Sequence, residues 1–154
     1  MNNTGTVLAL ITAQYSCERI INFAKEQAQH LSMNFIALTV QPTKADAKKR
    51  AEDMICLTNL SKKCGCDIRI VYSNNPLKSI ISETGKISPA HIYIGQGSEK
   101  SQFLTNLRLA PIGAPISVIG ADNIIYTLPS VTEDLFNIGN NKEKENFLFE
   151  FRLA

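Results

Sequence analysis

The chain has 154 residues, 44% of them hydrophobic and 19% charged, the balance of one globular domain that builds a core without disulfides or metal. Its net charge of +2 is too small to mark a binder of nucleic acid or of an anionic membrane. The longest apolar runs fall far short of the roughly 18 residues a membrane helix needs, and the N-terminus lacks a basic, cleavable leader, so a cytoplasmic protein with reduced cysteines is expected.

Apolar runs alternate with stretches of helical period, the pattern of βαβ units around a parallel sheet. The first run, residues 7–11, is apolar throughout and reads as a central strand covered on both faces. Ser16 is placed to cap a helix whose apolar positions Ile20, Ile21, Ala24, Ala28 and Leu31 form one stripe, opposite Arg19, Asn22 and Glu26. Residues 35–40 make the second strand. Thr43 is the expected cap of a second helix through Ala47, Ala51, Met54, Ile55 and Thr58. Lys62 and Lys63 sit in its last turn, where the helix dipole favours cations, and Gly65 is placed to end it.

In the third strand Ile68, Ile70 and Tyr72 alternate with Arg69 and Val71, so one face carries a charge, as at a sheet edge. Asn75-Pro76 starts a third helix, with Leu77, Ile80, Ile81 and Thr84 on its buried side and Gly85 closing it. Residues 91–94 are the fourth strand, followed by Gly95, and His91 reads as structural. Ser98 is placed to cap a brief helix holding Phe103, Leu104 and Leu107, which Pro111 stops. Residues 115–120 are the fifth strand. Right-handed crossovers with the third strand at an edge predict the order 3-2-1-4-5. The expected fold class is therefore α/β, a doubly wound, Rossmann-like parallel sheet of five strands with helices on both faces and a C-terminal tail that adds strands.

The α/β domain is expected over residues 1–122, and residues 123–154 as an extension, a β-hairpin or a dimer arm. Ile124, Ile125 and Tyr126 suit a sixth strand, and residues 137–146 are polar. Phe147, Phe149 and Phe151 then recur at period two, a row that needs cover from this domain or from a second subunit. Cys64-Gly65-Cys66 lacks the paired C-x2-C of a zinc site, and neither His30 nor His91 stands at finger spacing from it. Cys17, Cys56, Cys64 and Cys66 read as ordinary thiols.

Five blocks carry a family resemblance: Val7-Leu8-Ala9-Leu10-Ile11, Ser16-Cys17-Glu18-Arg19-Ile20-Ile21 with Ala24 and Ala28, Phe35-Ile36-Ala37-Leu38-Thr39-Val40, Ile92-Tyr93-Ile94-Gly95 and Pro115-Ile116-Ser117-Val118-Ile119. They resemble a universal stress protein domain, most of all the version embedded in the sensor kinases of osmosensitive potassium uptake. The resemblance spans Thr6 to about Gly120 and rests on the order of apolar blocks. It implies a cytoplasmic, homodimeric, non-catalytic regulator or stress-response domain, with a sensor kinase or transporter as partner. It also implies an adenine nucleotide (ATP, AMP or a cyclic dinucleotide) at the C-terminal ends of the first and fourth strands.

Independently of any family, open parallel sheets hold ligands where the strand order reverses, here between the tips of those two strands. Thr12, Ala13, Gln14, Tyr15 and Ser16 line one side of such a crevice, with Val40 beside them, and Gly95, Gln96, Gly97, Ser98 and Ser101 line the other. Helix N-termini after both loops favour an anion, and Tyr15 is placed to stack on a base. The nucleotide-binding members of the family carry a glycine, two residues, a glycine, nine residues, then a glycine and a small hydroxyl residue. Here Gly95 and Gly97 stand one residue too close, Glu99 adds negative charge, and no Gly-Ser or Gly-Thr follows before Pro115. The acidic residue after the first strand is also replaced, with Ala13 or Gln14 near its place. The expectation is weak binding of a nucleotide or similar small anion, the alternative being a ligand-free interaction module with a vestigial pocket that dimerises through the tail or a sheet edge. No G-x-S-x-G, Cys-His pairing or strand-end carboxylate pair marks catalysis, and Lys44, Lys48, Lys49 and Arg50 read as a solvated basic face.

Overall fold

A computed structural model describes residues 5–95, 106–107, 109–120 and 125–128. In chain order the elements are β1 (Thr6–Leu10), a 3-10 turn (Tyr15–Cys17), α1 (Glu18–His30), β2 (Asn34–Gln41), α2 (Ala47–Cys64) and β3 (Ile68–Tyr72). They continue with α3 (Pro76–Ile87), β4 (His91–Gly95), β5 (Ile116–Ile119) and β6 (Ile125–Leu128). One sheet contains all six strands in the order β3-β2-β1-β4-β5-β6. β1 to β5 pair in parallel in the expected 3-2-1-4-5 order, and β6 adds antiparallel to β5. No helix among the described residues is long and apolar enough to cross a membrane.

The alternation of side chains along β1 explains why that strand carries no polar residue. Val7, Ala9 and Ile11 meet Ile20, Ile21 and Ala24 of α1 and Leu57 and Leu60 of α2 on one face. Leu8 and Leu10 meet Leu38, Ile92, Ile94 and Ile80 on the other. Both directions are dry, so every position gains from burial, roughly 1.5–3 kcal/mol for a large aliphatic side chain. β3, whose outer neighbour is missing among the described residues, is covered only in part, as its alternating charge predicts.

Helix boundaries depart from expectation where cap chemistry is ambiguous. Ser16 does not cap α1: the chain first makes the 3-10 turn, closed by Cys17 N–H donating to the Gln14 carbonyl at 3.0 Å, and the helix begins at Glu18 with no side-chain cap. Leu31 lies one residue past the helix and is exposed rather than part of its stripe. α2 is capped by Asp46, whose carboxylate accepts from Lys49 N–H at 2.8 Å, while Thr43 turns its hydroxyl to Asn74. Gly65, with φ of 63°, ends α2 as expected. Asn75 caps α3 through Lys78 N–H at 3.2 Å, with Pro76 first in the helix, but the helix runs past Gly85 and turns at Ser88 with φ of 50°.

The buried side of α2 lies opposite the residues that mark the helix in the sequence. Ala47, Ala51, Met54, Ile55 and Thr58 are exposed, and Cys56, Leu57, Leu60 and Cys64 face the sheet instead. Both sets recur at helical spacing on opposite sides of one helix, so periodicity alone cannot orient it. The set holding the two leucines forms the buried contact. Ile55→Glu is therefore expected to change the unfolding free energy by no more than about 0.5 kcal/mol, as for an ordinary surface change, measured by urea denaturation.

The capping role expected for Ser98, and the helix positions Phe103 and Leu104, lie outside the described residues, as does the tail 129–154. Leu107 is buried against the second core face.

Candidate functional site

β1 and β4 are direct neighbours, with Leu10 opposite Ile94, so their tips lie side by side where the strand order reverses. Ile11 N–H still donates to the Leu38 carbonyl at 2.9 Å, and the chain then turns over the end of the sheet. Gln14 N–H donates to the Thr12 carbonyl at 2.8 Å, and Thr12 N–H reaches the Cys17 sulfur at 3.5 Å. This places Thr12, Gln14 and Ser16 in solvent beyond the tip of β1 and packs Ala13 on the core beneath. Val40 stands two residues beyond Leu38, the partner of Leu10, half-buried on the α3 side of the sheet. Gly95 closes the far side; Gln96, Gly97, Ser98 and Ser101 lie outside the described residues.

Two of the expected site residues also make contacts away from the β1 tip. A Cβ built on Gly95 would lie 3.3 Å from Cδ1 of Ile20, so this glycine lets α1 close onto β4. Tyr15 is 57% exposed, and its phenol oxygen accepts from Asn59 Nδ2 at 3.0 Å. That bond draws the ring toward α2.

Arg19, expected on the polar side of α1, is half-buried and bonded to the sheet. Its Nη1 donates to the Gly120 carbonyl at 2.7 Å and to that of Ile119 at 3.4 Å, tying the first turn of α1 to the tip of β5. A signal existed: a cation in the first turn opposes the helix dipole, so an arginine there needs a partner that compensates. Its neighbour Glu18 suits the dipole and pairs with Lys63 at 2.9 Å.

Elsewhere, His91 Nε2 lies 2.6 Å from Ser117 Oγ, which lies 2.8 Å from Thr127 Oγ1, and the imidazole stacks on Tyr93 at 4.5 Å. A histidine beside a serine has the form of a base and its nucleophile. Ser117, however, is 1% exposed, so no substrate carbonyl reaches its oxygen, and burial holds the His91 pKa below its usual value. Burial likewise pushes the Cys56, Cys64 and Cys66 thiols up, away from reactive thiolate. Between β2, β3 and α2, where Arg50 stacks over Tyr72 at 4.7 Å, the free space is about 10 Å³, room for one water at most.

No protein-family profile matches the sequence, and no curated protein does. Solved structures do. A universal stress protein from Archaeoglobus fulgidus superposes with a TM-score of 0.61 at 14% identity, covering 74% of this chain and 92% of that one. A universal stress protein in complex with cAMP gives 0.59 at 12% identity, covering 77% and 98%. A universal stress protein family protein from Arabidopsis thaliana with AMP bound gives 0.53 at 17% identity, covering 77% and 94%. By these superpositions, the chain has the fold of the universal stress proteins.

Proposed function

We propose that the protein is a non-catalytic, cytoplasmic regulatory or stress-response domain that binds an adenine nucleotide weakly at the crevice between the tips of β1 and β4. The observation that carries this reading is the adjacency of β1 and β4 at the point of strand-order reversal, in a fold whose solved examples include complexes with cAMP and AMP. Thr12, Ala13, Gln14, Tyr15, Ser16 and Val40 form one wall and Gly95, Gln96, Gly97, Ser98 and Ser101 the other. Arg19 supplies a cation at the same end of the sheet. A homodimer, and a sensor kinase or transporter as the partner that reads the bound state, belong to the same proposal, and the sequence blocks favour the sensor-kinase version of the domain.

A second reading has its own support. Ile20 fills the space beside Gly95, and Tyr15 is held by Asn59, which favours an interaction module that works without ligand.

Thermal unfolding with AMP, cAMP, ATP and cyclic dinucleotides separates the two. A ligand at a hundred times its dissociation constant adds about 2.7 kcal/mol, a rise of several degrees in Tm. No rise with any of the four, at millimolar concentration, rejects the nucleotide and leaves the interaction module.

A further inference from the structure

The end of the sheet away from the crevice holds a groove of about 610 Å³. Phe35 and Ile36 at the start of β2 and Ile68 at the start of β3 form its apolar lining, and each is only partly covered. Lys25, Cys66 and Arg69 stand around it. The wall on the α2 side is fixed, because Lys25 Nζ donates to the Cys64 and Gly65 carbonyls at 2.9 and 3.1 Å. β3 is the sheet edge here, with no strand on its outer side among the described residues. A partly exposed apolar floor beside an open strand edge suits an added extended segment: backbone groups pair with the edge, and alternate side chains fill the groove.

The chain carries such a segment, and leaves the sheet at the right end to deliver it. β6 runs antiparallel to β5, so Leu128 lies opposite Ile116, where the parallel strands begin. From β6 to β3 is five strand spacings, about 24 Å. The 18 residues 129–146 reach up to about 60 Å when extended, so the distance is no obstacle. The next residues, Phe147-Leu148-Phe149-Glu150-Phe151-Arg152-Leu153, put three phenylalanines on one face at period two. We propose that this segment of the same chain docks in the groove alongside β3, with its phenylalanine row on Phe35 and Ile68.

Cys66 makes the proposal testable in the full-length chain, because it is the partly exposed thiol of the groove, whereas Cys17, Cys56 and Cys64 are buried. With Phe149→Cys, mild oxidation is expected to join Cys66 to the thiol introduced at position 149 within one chain, at a yield independent of protein concentration. A link formed only between chains, rising with concentration, assigns the groove to a second copy's tail and overturns the proposal. No link to Cys66 in a folded protein also overturns it. A full-length variant with Phe147→Ser, Phe149→Ser and Phe151→Ser gives an independent measure. A docking preference of about 1.4 kcal/mol makes Cys66 alkylate about tenfold faster in that variant, and an unchanged rate removes the proposed contact.

Discussion

Replacing Leu8 by alanine is expected to lower the unfolding free energy by about 3–5 kcal/mol, a large part of the stability of a domain this size. Leu8 is fully buried in the middle of β1, opposite Ile36 of β2 and Ile92 of β4, and packs into the α3-side core with Leu10, Leu38 and Val118. Strands close it in laterally and a helix covers it from above, so little can collapse into the space the side chain leaves. A urea midpoint shift of at least about 1 M follows from a slope of 1–3 kcal/mol per molar. A loss below about 1 kcal/mol would place β1 at the margin of the sheet, and with it the crevice beside β4. The contrast with Ile55→Glu, a large aliphatic residue of α2 expected to tolerate a charge, makes the pair a test of the whole burial pattern.

That contrast also shows what the sequence makes legible. β1, β4 and β5 are readable because a strand covered on both faces holds apolar residues at nearly every position, and no helix among the described residues has that pattern. α1 is readable because its stripe has one side and its opposite side is polar. α2 offers two stripes, and the choice between them depends on the volume available under the helix, which only the folded sheet defines. The meeting of the β1 and β4 tips is legible as a place, since it follows from strand order alone. Its furnishing is not: Tyr15 is drawn off by Asn59 on an element 44 residues away, and Arg19 by the Gly120 carbonyl 101 residues away. Contacts of that range leave no local periodicity. The packing role of Gly95 against Ile20 Cδ1 is equally silent in the sequence, because it depends on a side chain of α1.

The second large effect is expected at the polar cluster inside the sheet. Ser117→Ala removes the hydroxyl that stands between His91 Nε2 and Thr127 Oγ1, and the loss of a bond to a buried polar group costs about 1–3 kcal/mol. The same cluster gives the protein an acid limb. Burial lowers the folded-state pKa of His91, so below about pH 6.5 the unfolded chain binds a proton that the folded chain resists. The unfolded state then holds more protons, and stability rises with pH across that window. The His91 contribution is therefore full above about pH 6.5 and is lost as pH falls through the folded value. His91→Asn is expected to flatten this part of the profile, while Ser117→Ala keeps the limb and lowers the whole curve. Urea unfolding at pH 8, 6.5 and 5 for the parent and both variants reads the difference. Equal slopes in the parent and the His91 variant would assign the acid sensitivity to groups other than His91, and the cluster would then act only by tying β6 to β4 through Ser117.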